Sequence, residues 1–268
     1  MTTNDKMKAV VYEGPKKISF KEVDKPKIKN SSDAIVRLTK TTICGTDLHI
    51  EKGEVPACAP GTILGHEGIG IVEEVGDNVK NFKPGDKVII SCVTADGTCH
   101  YCKIGMYAHC EDGGWILGHL IDGTQAEYVH IPYADNSLYH LPQGVSDDAG
   151  VMLSDILPTG YEIGVLNGKV SPGDVVAIIG SGPIGISALL TAQFYAPSKI
   201  IMLDLDDNRL EQSKQFGATH TINSKDAEKA IKDVFDLTDG RGVDVAIEAV
   251  GYPQSFDLCQ KMLRLQLV

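Results

Sequence analysis

The first half of the chain alternates apolar and charged residues over short runs. Between Met7 and Pro132 these runs are separated, at intervals of about ten residues, by glycine, proline or aspartate. This pattern is typical of half-exposed β-strands joined by turns. The strands it predicts are 7–13, 18–23, 34–41, 61–76, 87–92 and 126–131. We expect them to form an all-β region, a partly open barrel.

The hydrophobic period changes near Val145. A helical run is predicted over 147–161, with a kink or stop at Pro158 and Gly160. From Val170 onwards, continuous apolar strands alternate with helices, as in parallel βαβ units. The predicted strands are 174–179, 200–204, 220–222 and 243–250, and the predicted helices are 184–195, 206–216, 226–235 and 254–263.

The fold class is therefore α/β, with a β-barrel domain over 7–165 and a doubly wound domain over 166–268. The second domain contains four predicted parallel strands, whereas a complete doubly wound fold has six. The last residues, Arg264 to Val268, contain neither a turn glycine nor a polar cap. We therefore expect a truncated product that lacks strands five and six. The open edge of its fourth strand is an aggregation hazard.

Composition narrows the possible partners. The 268 residues carry a net charge of −11, with 43% hydrophobic and 23% charged residues. These proportions indicate a globular protein, and the acidic balance argues against nucleic acid or an anionic membrane as a partner. No apolar run reaches the roughly 18 residues of a transmembrane helix. Residues 1–6 lack the apolar segment of a signal peptide, so we expect a cytoplasmic location.

Seven cysteines in a reducing compartment need an explanation other than disulfides. Cys44 and His66 offer a thiolate and an imidazole, two of the three protein ligands of a catalytic zinc. Thr46 and His49 add a hydroxyl and a second imidazole close to Cys44. Asp155, a carboxylate inside an apolar stretch, is either a third ligand or a helix cap. The alternative for the cysteine and the histidines is a structural role, with His49 on the surface.

A second group of potential ligands lies further along the chain. Asp96, Cys99, Cys102 and Cys110 follow the spacing D-x2-C-x2-C-x7-C. Three thiolates and a carboxylate at such intervals can close a tetrahedron around zinc and leave no open position, so this metal would be structural. Cys92 is an alternative fourth ligand at a poorer spacing. Three free cysteines in a loop are the other interpretation.

A glycine-rich segment follows the first strand of the second domain. Gly180, Gly182 and Gly185 form a G-x-G-x-x-G motif, and Pro183 and Ile184 begin the next helix. The glycines permit a tight turn, close approach of a pyrophosphate and close packing of helix on strand. The N–H groups at the start of the helix bind phosphate. The segment therefore predicts a dinucleotide site.

An acidic residue, Asp204, ends the strand after this helix. Its carboxylate can accept hydrogen bonds from ribose hydroxyls and would repel a 2′-phosphate, which favours NAD over NADP. Arg209 would weaken that preference, but we expect it on the next helix, beyond the end of the strand.

Together, these motifs resemble the zinc-dependent medium-chain alcohol dehydrogenases over residues 7 to about 264. The resemblance rests on Cys44 with Thr46 and His49, on Gly65-His66-Glu67 and the glycines after it, on the four-ligand lobe, and on the glycine-rich motif with its acidic partner. It implies a GroES-like catalytic domain followed by a Rossmann domain.

The resemblance also assigns individual roles. It implies that Cys44, His66 and Asp155 are the ligands of a catalytic zinc, where many members have a cysteine in the last position. Glu67 falls where a carboxylate can transiently bind the metal. Thr159 falls where a hydroxyl touches the nicotinamide.

Two departures from the family are expected to matter. Asp96 replaces the first cysteine of the structural lobe, which should loosen the second zinc site. Members of the family continue beyond the present chain, complete the sheet and form homo-oligomers, dimers or tetramers, through their sixth strand. Cofactor binding and oligomerisation are therefore expected to be weakened here.

The implied function is hydride transfer between NAD and a primary or small secondary alcohol, giving an aldehyde or a ketone. Two zinc ions are expected per chain, the catalytic one acting as a Lewis acid. The alcohol proton would leave through Thr46, the nicotinamide ribose and His49. Trp115 either lines the substrate pocket or packs in the core. Two alternatives are a polyol, sugar or formaldehyde-adduct dehydrogenase, and a truncated, catalytically dead zinc-binding protein.

Overall fold

The computed structural model describes residues 5–264, and these residues divide into two compact units at Asp155/Ile156. The first unit contains the strands β1 (Lys6–Gly14), β2 (Lys17–Asp24), β3 (Ala34–Thr41), β4 (Gly68–Val75), β5 (Lys87–Ile90), β6 (Tyr128–Ile131) and β7 (Leu138–His140). Its helices are α1 (Gly45–Lys52), α2 (His100–Lys103), α3 (Ala134–Ser137) and α4 (Asp147–Val151), with a 3-10 turn at Tyr107–His109.

Five strands of the first unit form an antiparallel sheet in the order β6-β3-β4-β5-β7. The hairpin β1-β2 is a separate sheet that touches neighbouring segments through the bridges Ala9–Ala126 and Val11–Ile63. Alternate residues of the large sheet point to one side and bury a common core. This core includes Val36, Val72, Val88, Leu117, Val129 and Ile131.

The second unit begins with α5 (Ile156–Thr159), which runs directly into a π-helix, Gly160–Leu166. Its remaining elements are β8 (Val175–Ile179), α6 (Pro183–Ala192), a 3-10 turn (Gln193–Tyr195), β9 (Lys199–Asp204), α7 (Asp207–Gln215), β10 (His220–Asn223), α8 (Ala227–Leu237), β11 (Val245–Glu248) and α9 (Pro253–Met262).

The four strands of this unit are all parallel, in the order β10-β9-β8-β11. Successive residues of β8 and β9 enter different cores on the two faces of the sheet. One core contains Val176, Ile178, Ile200 and Met202 with Leu189 of α6, and the other contains Val175, Ala177, Ile201 and Leu203 with Val234 of α8. Burial on both faces explains why these strands are continuous apolar runs. The predicted α/β class is confirmed.

The division between the units comes ten residues before the sequence-predicted boundary at 165/166. Residues 156–166 belong with the second unit because the π-helix packs closely on α6. A Cβ atom on Gly160 would lie 2.6 Å from Cβ of Ser187, and one on Gly164 would lie 3.4 Å from Cβ of Ala188.

Several predicted elements need correction. The strand predicted over 61–76 is limited to Gly68–Val75, because Gly61 and Gly65 adopt left-handed φ values of 101° and 96° that break a strand. The predicted helix 147–161 is interrupted after Val151, and helix resumes at Ile156 and passes through Pro158 and Gly160. The helix α1, which follows Cys44, was not predicted from the sequence.

Candidate active site

Three strands of the large sheet end at one edge and place the candidate residues there. Thr41 of β3 and Ile90 of β5 both pair with Gly68 of β4. In an antiparallel sheet, the end of one strand meets the start of its neighbour. The residues after β3, before β4 and after β5 therefore leave the sheet together. These positions hold Cys44, His66 with Glu67, and Cys92 respectively.

Cys44 occupies the N-cap position of α1, with extended backbone angles. Its backbone N–H donates to Oδ2 of Asp47 at 2.8 Å, so the carboxylate of the first turn closes the helix start around the cysteine. Gln125 donates to the same oxygen at 2.9 Å. Asp47 is buried, and this network fixes the direction in which the Cys44 thiol leaves the helix.

His66 lies between this helix start and Asp155. Its Nε2 is 3.2 Å from Oδ2 of Asp155, and its Nδ1 is 3.7 Å from Oδ1 of Asp47. The imidazole is only 2% exposed, and both Nδ1 and the facing Asp47 oxygen are buried without a hydrogen-bond partner. An imidazole whose second nitrogen faces a carboxylate is the usual arrangement behind a metal-bound histidine.

Asp155 reaches the cluster because the residue before it is clamped to β4. The Ser154 hydroxyl donates to the Gly68 carbonyl at 3.1 Å, and the Gly68 N–H donates back to that hydroxyl at 3.2 Å. Gly68 is two residues from His66. The clamp therefore holds the predicted third ligand beside the second one, although they are far apart in the chain.

The cluster fits a metal ion. The ligand atoms of Cys44, His66, Glu67 and Asp155 all lie within 4.8 Å of one another. Bonds of 2.0–2.2 Å to a tetrahedral zinc separate two ligand atoms by about 3.4 Å, close to the 3.2 Å between His66 and Asp155. Thiolate, imidazole and carboxylate are also the donor types that zinc takes at catalytic sites.

The electrostatics of the cluster favour a cation. Burial lowers the pKa of His66. Hydrogen bonds from its ring to Asp155 and Cys44, together with the nearby charge of Asp47, outweigh this effect and raise the pKa to about 10. Burial raises the pKa of Glu67, because its charged form lacks water there. Several anionic groups thus share a pocket with one imidazole, and a divalent cation would neutralise them.

Glu67 stands at the cluster with one oxygen held and one unpartnered. Oε2 accepts a hydrogen bond from Thr42, whereas the buried Oε1 has no partner. Thr41 and Thr124 both donate to the Glu67 carbonyl at 2.9 Å, which fixes the backbone. This arrangement leaves one carboxylate oxygen available to a metal ion.

Two further predicted residues follow Cys44 on α1 and differ in placement. A hydrogen bond of 3.8 Å joins Cys44 Sγ to Thr46 Oγ1, so Thr46 is in the cluster. His49 is on the exposed face of the helix, where its Nδ1 pairs with Glu54. The structure therefore brings Thr46, but not His49, to the ligand atoms.

The second predicted ligand set also assembles. The ligand atoms of Asp96, Cys99, Cys102 and Cys110 lie within 4.8 Å of one another. Backbone N–H groups point at the sulfurs: that of Asp96 donates to Cys110 Sγ at 3.3 Å, and that of Cys102 to Cys99 Sγ at 3.5 Å. Backbone N–H groups of Glu111 and Cys102 lower the pKa of Cys99, whereas burial raises the pKa of Cys102 to about 12. The set therefore suits a tetrahedral metal ion.

Hydrogen bonds hold the Asp96 carboxylate of this second set in its charged form. The N–H groups of Cys99 and Thr98 donate to its Oδ1 at 2.9 and 2.6 Å and lower its pKa to about 2. The alternative ligand considered from the sequence, Cys92, lies elsewhere. Its thiol donates to Oδ1 of Asp155 at 3.3 Å, in the first cluster.

The glycine-rich motif has the geometry of an anion cradle. Gly180 adopts φ 102°, and a Cβ on Gly185 would lie 1.7 Å from the Gly180 carbonyl oxygen, so both positions require glycine. In contrast, a Cβ on Gly182 would meet nothing within 4 Å. Gly182 is also the N-cap of α6 and offers no side-chain cap, with Pro183 and Ile184 in the first turn. The open space and uncapped N–H groups suit a pyrophosphate.

Asp204 lies beside this cradle. Its Oδ2 accepts the Ser181 N–H at 2.7 Å and its Oδ1 accepts the Asp206 N–H at 2.9 Å. Each carboxylate oxygen keeps a second lone pair that can accept a ribose hydroxyl. Arg209 is exposed on α7, as expected from the sequence.

Thr159 lines a separate groove of the second unit. The groove has a volume of about 460 Å³ and is bounded by α5, the π-helix, α6, the end of β11 and α9, including Ile163, Ile184, Glu248 and Phe256. Thr159 and Ile184 of the predicted cofactor residues therefore face one cavity.

The described residues contain no helix that is both apolar and long enough to cross a membrane.

Sequence reasoning missed five residues of the first cluster. They are Thr42, Asp47, Cys92, Gln125 and Ser154. An acidic residue three positions after the N-cap is a recognisable capping signal, so Asp47 could have been found from the sequence. The other four are joined to the cluster by hydrogen bonds between distant segments, which leave no local pattern: Thr42 to Glu67, Cys92 to Asp155, Gln125 to Asp47 and Ser154 to Gly68.

Comparison with known proteins agrees with this geometry. Residues 30–143 match the family described as "Alcohol dehydrogenase GroES-like domain", and residues 183–266 match "Zinc-binding dehydrogenase". An alcohol dehydrogenase from Cupriavidus necator is 37% identical over 96% of this chain and 74% of its own length. The apo form of zinc-dependent alcohol dehydrogenase 2 from Streptococcus pneumonia is 68% identical, with a TM-score of 0.93 over 97% of this chain and 73% of that one.

The chain belongs to the zinc-dependent medium-chain alcohol dehydrogenase family, with a GroES-like unit followed by a Rossmann unit. The resemblance inferred from the sequence is thereby confirmed. The chain spans 60% of the length of another curated relative, zinc-type alcohol dehydrogenase B from Aspergillus flavus, which is 40% identical over 94% of this chain.

Proposed function

We propose that this chain carries the zinc site and the dinucleotide site of an NAD-dependent alcohol dehydrogenase. The reaction is hydride transfer between NAD and a primary or small secondary alcohol, giving an aldehyde or a ketone. The observation that carries the proposal is the convergence of Cys44, His66 and Asp155, with Glu67 beside them, at one edge of the barrel sheet.

In this proposal, Cys44, His66 and Asp155 hold a catalytic zinc. When bound, zinc supplies Lewis-acid polarisation that lowers the pKa of a coordinated alcohol. The Asp47 carboxylate, 3.7 Å from Nδ1 of His66, favours the tautomer with the proton on Nδ1 and so leaves Nε2 for the metal. Glu67, held by Thr42 through one oxygen, keeps its unpartnered Oε1 for transient ligation.

The Thr46 hydroxyl, hydrogen-bonded to Cys44, would accept the proton of the alcohol while giving its own proton to the nicotinamide ribose of a bound cofactor. His49, which is exposed and paired with Glu54, would pass the proton from that ribose to solvent. A nicotinamide cofactor bound at the glycine-rich segment would supply the hydride acceptor. Thr159 is proposed to touch its ring.

The proposed cofactor is NAD. Gly180, Gly182 and Gly185, with Pro183 and Ile184, bind the pyrophosphate at the start of α6, and Asp204 binds the adenosine ribose. The Asp204 carboxylate would repel a 2′-phosphate, and Arg209 lies on α7, beyond the end of β9. Relatives differ in this respect: one is named NADP-dependent isopropanol dehydrogenase, from Thermoanaerobacter brockii, and related structures hold NADH or NADP.

We also propose a structural zinc held by Asp96, Cys99, Cys102 and Cys110, which gives two zinc ions per chain. We expect this site to bind zinc less tightly than a site with four cysteines, because the Asp96 carboxylate replaces a thiolate. We also propose a cytoplasmic location, a small-molecule alcohol or aldehyde as substrate, and a homo-oligomeric assembly.

Metal content, cofactor binding and turnover test these points separately. The purified chain should contain two zinc ions, and Cys44→Ala should contain one. The unaltered chain should bind NAD more tightly than NADP. NADH formation with ethanol and 2-propanol, compared with sorbitol and a formaldehyde adduct, would define the substrate class. Two zinc ions without NAD binding or turnover would favour a zinc-binding protein without catalytic activity, and two retained zinc ions in Cys44→Ala would refute the catalytic-site assignment.

A further inference from the structure

We infer that Cys92 is a positioning residue for the metal cluster: its thiol holds one oxygen of Asp155 so that the other faces the metal. The inference rests on the proposed function, because it assumes that Asp155 is a zinc ligand. The sequence offered Cys92 only as an alternative ligand of the second set, at a poorer spacing, and not in this role.

Cys92 reaches Asp155 from the same edge of the sheet as the ligands. It lies two residues beyond Ile90, which pairs with Gly68 at the start of β4. Its backbone N–H donates to the Ser154 carbonyl at 3.2 Å. The Ser154 hydroxyl is bonded to Gly68 in turn. The backbone beside Asp155 is therefore fixed to both β4 and the end of β5.

The side chain of Cys92 adds a second point of attachment. Sγ lies 3.3 Å from Oδ1 of Asp155, and Oδ2 of the same carboxylate lies 3.2 Å from His66 Nε2. An ionised carboxylate only accepts hydrogen bonds, so the thiol is the donor. With Oδ1 bonded to Cys92, Oδ2 is the oxygen turned toward the cluster.

Cys92 stands behind Asp155 and outside the ligand group. The four residues whose ligand atoms lie within 4.8 Å of one another in this cluster do not include it. A group in this position orients a ligand and reduces its charge donation to the metal without binding the metal itself. Loss of such an outer partner typically weakens metal affinity by about 10- to 100-fold.

Metal affinity of the full chain tests the inference. Zinc dissociation constants would be measured by competition with a chromogenic chelator, and the cobalt-substituted chain by its visible absorption. Cys92→Ala should weaken one of the two metal sites by about 10- to 100-fold and change the cobalt spectrum of that site. Cys92→Ser, which keeps a donor, should recover part of the affinity. Cys58→Ala removes a different buried thiol of the same unit and should behave as the unaltered chain.

Unchanged affinity and cobalt spectrum in Cys92→Ala would overturn the inference. Equal weakening in the alanine and serine variants would also overturn it, because packing alone would then explain the loss. Cys44→Ala, measured in parallel, separates this failure from that of the proposed function. If Cys44→Ala keeps both metals, the zinc site itself is wrongly assigned; if it loses one, only the role of Cys92 is at issue.

Discussion

His66 Nε2 lies 3.2 Å from Asp155 Oδ2, although one residue precedes β4 and the other follows α4. The contact exists because Ser154 is hydrogen-bonded to Gly68, the first residue of β4. Strand pairing brings Cys44 to the same place, since Thr41 pairs with Gly68 as well. A single position of the sheet thus organises the three predicted ligands.

Removal of Asp155 should abolish one metal site and leave the other. In Asp155→Ala the affinity of the first cluster for zinc should fall by more than about 100-fold, beyond the loss typical of an outer partner. Asp155→Cys should retain the metal, because a thiolate is an equally good zinc ligand. Native mass spectrometry measures the number of zinc ions bound to each of the two variants. A loss of both metals in Asp155→Ala would contradict the independence of the clusters.

Asp47 should affect metal affinity without being a ligand. Asp47→Asn removes the negative charge that faces Nδ1 of His66, and we expect zinc to bind the first cluster about 10- to 100-fold more weakly. Chelator competition measures the change. Asp24→Asn, at a largely exposed aspartate of β2, is the matched control and should leave affinity unchanged. Equal zinc affinities of Asp47→Asn and Asp24→Asn would show that Asp47 does not support the metal site.

Alanine substitutions at two glycines of the dinucleotide loop should affect different properties, stability at Gly185 and NAD binding at Gly182. A Cβ on Gly185 would overlap the Gly180 carbonyl, so Gly185→Ala should lower the free energy of unfolding by about 1–3 kcal/mol or more. Gly182→Ala has free space around the new methyl group, and should unfold at the same temperature while binding NAD more weakly. Thermal unfolding and NAD titration together separate the two. Normal NAD binding by Gly182→Ala would place the pyrophosphate elsewhere.

Asp204 should control the choice of cofactor. Asp204→Asn keeps the shape but removes the charge, and a hydrogen bond to a charged group contributes about 1.5–3 kcal/mol. We expect NAD affinity to fall by about tenfold or more, and discrimination against NADP to decrease. Asp257→Asn on α9 serves as a control. Titration of both cofactors by fluorescence is the measurement, and an unchanged NAD/NADP ratio would exclude Asp204 from cofactor choice.

The pair Asp33–His130 should make stability depend on pH. Burial raises the pKa of the fully buried Asp33, but the hydrogen bonds from His130 and from the N–H of Asn30 more than offset this and hold the pKa below its usual value. A carboxyl whose pKa is lower in the folded state stabilises the fold above its unfolded pKa of about 3.9. That contribution disappears as pH falls through the folded-state value.

Thermal unfolding between about pH 6 and pH 2 tests this dependence. Asp33→Asn should be less stable than the unaltered chain near neutrality, by about 1–3 kcal/mol. The difference should shrink as the solution is acidified, because the unaltered chain loses its stabilising charge. A difference that stays constant with pH would show that the Asp33 charge does not contribute.

Local patterns predicted most of the elements and the ligand residues. The alternation in β3 gave its bounds correctly, and the continuous apolar run gave those of β8 to within one residue, because the residue pattern of a strand reflects which of its faces are buried. The motif at Gly180 was readable because strand, turn and helix are consecutive. The helix α1 was missed because its hydrophobic pattern is weak: of its eight residues, only Asp47 and Ile50 are buried.

The sequence by itself therefore indicated the candidate residues: thiolates, an imidazole and carboxylates of the types that bind zinc, and glycines where the backbone would approach a phosphate. Only the tertiary structure decided how they are held. It placed Cys92 behind Asp155, Asp47 behind His66, and His49 on the surface with Glu54. These relations depend on strand register and on side-chain hydrogen bonds between distant segments, which have no period or spacing in the sequence.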